Sequence, residues 1–116
     1  MIELEKLEQM FANIRAKTSW NIDGPMLWGY FFTDPSEEKL QNAAVHLKSQ
    51  GYRFVGTHET DDGNTRFLHV ERIEVQSPQT LFARNEQLYE LADRFGLESY
   101  DGMDVGPAPP QGSVPN

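Results

Sequence analysis

The stretch MLWGYFFT, Met26 to Thr33, is followed directly by DPSE and then by a helical pattern that ends at Gly51. The first part is a dense aromatic run of strand length. Both of its faces are apolar, which is typical of a central strand covered on both sides. In DPSE, Asp34 can cap the first N–H groups of a helix, Pro35 suits the first helical position, and Glu37 completes a capping-box pattern. The segment therefore predicts a buried strand joined to a capped helix.

A hairpin follows this unit. Tyr52 to Thr60 and Thr65 to Gln76 are rich in aromatic and β-branched residues, and the turn-forming sequence DDGN separates them. Gly63 accepts the positive φ that a tight hairpin turn needs. A turn centred there pairs Glu59 with Arg66 across the two strands, which places opposite charges side by side.

The rest of the chain repeats the strand–helix theme. Ser77 followed by proline begins a helix that runs to Phe95, and Gly96 ends it. Leu97 to Val105 is a last short strand. With a first helix at Ile2 to Lys17, the order is a helix followed by βαββαβ. This predicts an α+β fold, a ferredoxin-like antiparallel sheet with two helices on one face. The N-terminal helix is expected over a sheet edge or on the other face.

The N-terminal helix has one apolar stripe. Leu7, Met10, Phe11 and Ile14 recur at helical spacing. Two interpretations remain open at this point. The stripe packs on the domain's own core, or it docks a partner, including a second copy of the chain in a homodimer.

Length and composition indicate one domain. The chain has 116 residues, 38% of them hydrophobic, with seven Phe, four Tyr and two Trp. We expect a single α+β domain over residues 1–106 and a disordered Pro/Gly-rich tail over 107–116. There is no cysteine, no basic and apolar leader, and no apolar run long enough to cross a membrane. These features favour a cytoplasmic protein.

The net charge of −8 narrows the class of partner. Phosphate backbones repel an acidic protein, which argues against direct binding to DNA or RNA. A basic protein surface is the favoured partner, because opposite charges steer the encounter and complement each other at the rim of an interface.

Few residues suggest chemistry. His58, His69 and Glu71 fall on one face of the predicted hairpin, but a metal site needs three or four convergent ligands. Asp101 and Asp104 resemble a carboxylate pair, yet a spacing of three puts them on opposite sides of a regular strand, unless a glycine bulge reorients one of them. No phosphate loop, G-x-S-x-G or H-E-x-x-H motif is present. We therefore expect no enzyme activity, no metal and no cofactor.

The predicted sheet has an aromatic face that leaves three alternatives open. It is covered by the N-terminal helix, it stacks RNA bases as RNA-recognition domains do, or it binds a protein. RNA stacking lacks the basic fringe that such domains need. The predicted aromatic face of the hairpin carries Tyr52, Phe54, His58, Phe67 and His69, and its aliphatic face carries Val55, Thr57, Leu68 and Val70.

The second half of the chain resembles a known family. The stretch FLHVERIEVQSPQTLFARNEQLYELADRFGLESYDGMDVG is similar to the RraB family, regulators of ribonuclease E activity. The likeness extends from Leu27 to Gly106. Its most specific parts are the helix Leu81 to Phe95, its LADRFG end, and the predicted YDG turn that begins at Tyr100.

This resemblance implies an α+β fold and a non-enzymatic role, in which the protein binds the endoribonuclease and modulates RNA decay. A small acidic binder is also consistent with an immunity or adaptor protein that neutralises a basic toxin, and sequence alone leaves both partner classes open. The residues expected to bind the partner are Glu98, Asp101 and Asp104 as a charged rim, with Tyr100 as an aromatic anchor on the last strand, an edge strand of the predicted sheet.

Overall fold

The computed structural model describes residues 2–109. Its helices and strands follow the predicted order. They are α1 (Leu4–Lys17), β1 (Met26–Asp34), α2 (Glu37–Ser49), β2 (Arg53–Glu59), β3 (Arg66–Glu74), α3 (Pro78–Arg94) and β4 (Ser99–Pro107). The last strand ends two residues later than predicted. The predicted tail lies outside the described residues from position 110 onward.

The four strands form one antiparallel sheet in the order β2-β3-β1-β4. Neither β1 and β2 nor β3 and β4 are neighbours, so α2 and α3 each connect strands that are separated by another strand. The predicted α+β class is confirmed. The order places β1 and β3 in the centre of the sheet and leaves β2 and β4 at its two edges.

One side of the sheet, which we call the covered face, packs against the helices. Because strand side chains alternate, Trp28, Tyr30 and Phe32 of β1 share this side, and all three are fully buried. They belong to one core cluster with residues of all three helices. The helical members of this cluster include Leu7, Phe11, Leu40, Leu47, Leu81 and Leu88.

The first helix lies on the same side as the other two. Phe11 stacks on Trp28 with ring centroids 5.9 Å apart, and Leu7 is buried with it. The prediction that α1 lies over an edge or on the other face is wrong, because its apolar stripe completes the cover over Trp28, beside α3. The stripe is therefore used inside the chain, and the structure gives no support to a homodimer through this helix.

Local signals set most element ends. Ser77 accepts a hydrogen bond from the Thr80 N–H at 3.1 Å, while the Thr80 hydroxyl accepts one from the Ser77 N–H at 2.8 Å. Gly51 and Gly96 follow α2 and α3 with φ of +96° and +68°, in the left-handed region that favours glycine. These predicted helix boundaries are confirmed.

The start of α2 differs from the prediction. Ser36, not Asp34, is the N-cap, and its side chain accepts a hydrogen bond from the Lys39 N–H. Asp34 instead ends β1 and is only 4% exposed. Its two carboxylate oxygens accept bonds from the N–H groups of Ser36 at 2.8 Å and Glu98 at 2.9 Å. The aspartate thus ties the start of α2 to the turn before β4.

The hairpin has the predicted register at its turn and a different one further along. Glu59 pairs with Arg66, and their side chains form an ion pair at 2.9 Å. Beyond that point Val55 has no partner, since Phe54 pairs with Val70 and the next pair involves Gly56. This β-bulge moves Phe54 to the covered face and leaves Val55 42% exposed. Their predicted faces are therefore wrong, and so is that of Tyr52, which is buried in the core at 8% exposure.

Candidate protein-binding surface

The side of the sheet opposite the helices carries no helix of residues 2–109, and we call it the open face. It consists of the residues that alternate with the core residues of β1 and β3 and those that pair with them on the edge strands. They are Leu27, Gly29, Phe31 and Thr33 on β1, Phe67, His69, Glu71 and Ile73 on β3, Arg53, Gly56 and His58 on β2, and Ser99, Gly102, Asp104 and Gly106 on β4. Its exposed members include His58, Asp104 and Ile73, of which Ile73 is 53% exposed. Helices therefore cover β1 on one face only, although both of its faces are apolar.

Two histidine–phenylalanine pairs occupy the centre of the open face. Phe31 and His69 stack across β1 and β3 with ring centroids 4.4 Å apart, and His58 and Phe67 stack across β2 and β3 at 5.3 Å. The predicted common face of His58, Phe67 and His69 is confirmed. Flat rings held by stacking give a rigid contact area with polar nitrogens on it, a composition that suits protein interfaces.

A glycine makes room for polar groups beside these rings. A Cβ at Gly29 would collide with Asp104 Oδ1 and would lie 2.9 Å from His69 Nε2. The side chains of His69 and Asp104 therefore converge over the glycine from the two neighbouring strands. Together they offer a hydrogen-bonding group and a carboxylate next to the Phe31 ring.

His58, His69 and Glu71 are the candidate ligand set on this face. Among residues 2–109 no three His, Asp or Glu side chains lie close enough together to hold a metal ion. Glu71, the third candidate, forms an ion pair with Arg53 at 2.8 Å. The open face thus presents its histidines with stacked phenylalanines.

A β-bulge, and not the predicted turn, shapes the YDG segment. Phe32 pairs with Tyr100 and Phe31 with Gly102, so Asp101 is the extra residue in β4. Gly102 has φ of +119°, a conformation that L side chains rarely adopt. The bulge leaves Asp101 exposed at the edge of the sheet and brings Asp104 into register with Gly29.

The four residues predicted to bind a partner fall into two groups. Glu98, Asp101 and Asp104 are exposed along β4 and the turn before it. Tyr100 is 4% exposed, its hydroxyl donates to Asn85 Oδ1 at 2.6 Å, and its ring packs in the core against Phe32. The prediction of Tyr100 as an anchor does not fit this placement, because the bulge turns its ring onto the covered face.

The acidic residues of the β4 edge differ from those elsewhere on the sheet. Within residues 2–109, Glu98, Asp101 and Asp104 have no ion-pair partner, whereas Glu71 and Glu74 are paired with arginines. No Lys or Arg follows Arg94 in the sequence. The edge beside the open face therefore carries uncompensated negative charge.

Sequence patterns did not identify Phe31, Leu27 and Ile73 as surface residues. The dense apolar run of β1 predicted cover on both sides, so its odd-numbered residues were assigned to a core. A usable signal was Gly29 within that run, since glycine inside a strand often marks a close approach of other groups.

Comparison with protein families gives a match over most of the chain. A family model described as "Regulator of ribonuclease activity B" matches residues 4–105, which include every helix and all but the last two residues of β4. No curated protein shows significant similarity to the chain. Within residues 2–109, no helix is long and apolar enough to cross a membrane.

Proposed function

The chain belongs to the RraB family of regulators of ribonuclease activity, and from this premise we propose that it acts without catalysis, by binding an endoribonuclease of the ribonuclease E type in the cytoplasm. The observation that carries the proposal is the open face of the sheet. A small domain that leaves one face of its central strands uncovered, with stacked rings and an acidic edge, has a surface suited to a partner.

The chemistry of the surface favours a basic protein as that partner. The stacked rings of Phe31 and His69 supply rigid contact area, and such buried rings carry much of the affinity at protein interfaces. Glu98, Asp101 and Asp104 form the rim at the β4 edge. Charges in a rim act chiefly on association rate and specificity, so these residues are expected to steer a basic surface onto the open face.

The edge strand offers a second mode of contact. β4 has only one neighbouring strand, so the backbone groups along its other side are available to a strand of the partner. The strand order and antiparallel pairing also lead us to class the sheet as ferredoxin-like. In this arrangement the open face and the β4 edge are continuous and can contact one partner together.

RNA binding by the same face is disfavoured by charge. Cationic side chains bind nucleic-acid phosphates by displacing their counterions into solution, whereas the charged residues of the β4 edge are carboxylates. We therefore infer that the protein changes RNA decay through the enzyme and not through the RNA substrate.

The test combines a cleavage assay with two binding measurements. The purified chain is titrated into ribonuclease E acting on a short fluorogenic RNA, and its binding to the enzyme and to the RNA alone is measured by calorimetry. We expect binding to the enzyme without RNA, reduced cleavage, and no binding to RNA alone.

Binding to the RNA with the affinity seen for the enzyme would contradict the proposal, as would the absence of any complex with the enzyme. A stable complex with a basic toxin nuclease, in place of ribonuclease E, would instead support an immunity role.

A further inference from the structure

A cavity of about 380 Å³ lies on the helical side of the molecule, between α2 and α3 and away from the open face. Three arginines line it, Arg72 from β3 and Arg84 and Arg94 from α3. They are three of only ten Lys and Arg residues in a chain with net charge −8. This concentration of guanidinium groups in one cavity is not accounted for by the acidic surface proposed above.

Hydrogen bonds hold Arg84 and Arg72 in place, Arg84 in a partly buried network and Arg72 through an exposed bond at the end of α2. Arg84 Nη1 and Nη2 donate to the two carboxylate oxygens of Glu74 at 2.8 and 2.9 Å. The Tyr30 hydroxyl donates to the same carboxylate at 2.7 Å. Arg72 Nη1 donates to the Gln50 carbonyl at 3.0 Å, at the end of α2. These bonds fix the positions of both guanidiniums before any ligand arrives.

Tyr52 forms a wall between these arginines and the core. The guanidinium carbons of Arg72 and Arg84 each lie 5.5 Å from the centre of its ring. Contact of a cation with an aromatic ring stabilises the cation without using its N–H donors. Burial raises the pKa of the Tyr52 hydroxyl, so the ring stays neutral and does not compete with a bound anion at neutral pH.

The arginine on the outer part of the cavity is less constrained. Arg94 is exposed, and its Nη2 lies 2.9 Å from His46 Nε2, which accepts in this contact because a guanidinium only donates. A guanidinium has five N–H donors, and the bonds described above use only some of those on each of the three arginines. N–H donors from β3 and from α3 therefore remain for a ligand.

The charges that line the cavity favour an anion. Glu74 pairs with both Arg84 and Arg72, the latter at 3.6 Å, and Glu90 is the acidic residue in the lining. The three arginines therefore exceed these two carboxylates by one positive charge, and Arg94 is the arginine without an ion pair to Glu74. We propose that this cavity binds a small phosphate-bearing molecule, with the phosphate between Arg72 and Arg94 and the remainder against Tyr52 and Leu91. Arginine forks match the geometry of phosphate oxygens, and the volume exceeds that of a phosphate ion alone.

The test measures binding to the full chain by calorimetry, with inorganic phosphate and adenosine monophosphate as probes and sodium chloride at matched ionic strength as the blank. The variant is Arg94→Gln, because Arg94 lies outside the Glu74 network. The matched control is Arg15→Gln, an exposed arginine of α1 that is paired with Asp23 and does not line the cavity. Circular dichroism verifies that both variants fold.

We expect saturable binding of at least one probe. Arg94→Gln should weaken it about tenfold or more, equivalent to about 1.4 kcal/mol, while Arg15→Gln leaves it unchanged. Tighter binding of the nucleotide than of inorganic phosphate would identify a phosphorylated metabolite as the ligand, and equal binding would identify the free anion. Absence of saturable binding for both probes would overturn the proposal. Equal effects of the two substitutions would also overturn it.

Discussion

The two faces of the sheet differ in what covers them, although β1 carries large apolar side chains on both. On β1, Trp28 and Tyr30 are fully buried under the helices, while their neighbours Leu27 and Phe31 lie on the open face and are only partly buried. Ile73, next to Leu27, is 53% exposed. Apolar side chains on both sides of a strand therefore predict a sheet, but they do not tell which side of the sheet the helices will cover. The apolar residues that are left over are available for binding.

The largest expected difference between the faces is in stability. Trp28→Ala removes a fully buried ring that stacks on Phe11, and we expect it to lower the free energy of unfolding by about 3–5 kcal/mol. Ile73→Ala on the open face should change it by less than about 1 kcal/mol. Urea denaturation measures both. A loss at Ile73 as large as that at Trp28 would mean that the open face is covered after all.

Alkaline pH is expected to lower the free energy of unfolding through the buried tyrosines of the covered face. Burial is the main cause that raises the pKa values of Tyr30 and Tyr100, so the folded chain keeps these protons to a higher pH than the unfolded chain. Their contribution is complete below the ordinary tyrosine pKa of about 10 and is lost as pH rises above it. In that range each tyrosine removes about 1.4 kcal/mol per pH unit.

The measurement is urea denaturation at a series of pH values above about 9. Tyr100→Phe provides the comparison, because it removes one of the buried tyrosines with a raised pKa, which are Tyr30, Tyr52 and Tyr100, and should make the decline shallower. A decline of unchanged slope in Tyr100→Phe would show that this hydroxyl titrates normally in the folded protein.

A smaller effect on stability is expected at the β-bulge in β4. Gly102→Val places a β-branched residue at φ of +119° and should lower the free energy of unfolding by about 1–2 kcal/mol. Gly106→Val is the matched control, since an added Cβ has open space at both glycines but only Gly102 has a positive φ. Thermal unfolding compares them. Equal stability of the two variants would argue against a strained bulge.

Local sequence signals predicted much of the fold because their causes are local. The cap at Ser77 and the glycines after α2 and α3 act on the adjacent turn, and the Glu59–Arg66 register follows from the hairpin turn itself. The position of α1 depends instead on which surface is left uncovered after α2 and α3 have packed. That is a property of the whole domain, so the apolar stripe of α1 did not reveal its place.

The candidate surface was predicted only in part for a similar reason. Asp101 and Asp104 were identified from their charge, and His58 and His69 from strand alternation. The bulges at Val55 and Asp101 each insert one residue, which reverses the alternation of side chains on the two sides of the bulge. The prediction assumed strands without these insertions, and it therefore assigned Phe54 to the open face and Tyr100 to the surface. A glycine follows each inserted residue, Gly56 after Val55 and Gly102 after Asp101, and glycine inside a strand often marks a bulge, but it does not tell which residue is inserted.

The most direct test of the account compares charge reversal on the open face with the same reversal on the helical side. Asp104→Lys alters the acidic edge, and Glu8→Lys alters an exposed acid of α1, so both variants have the same net charge. Their affinities for ribonuclease E are measured by calorimetry at low and at physiological salt. We expect Asp104→Lys to weaken binding about tenfold or more at low salt and less at high salt, because salt screens exposed charges. Glu8→Lys should leave the affinity close to that of the unchanged protein. Equal effects of the two reversals, or no effect of Asp104→Lys at either salt concentration, would contradict the claim that the partner binds at the open face.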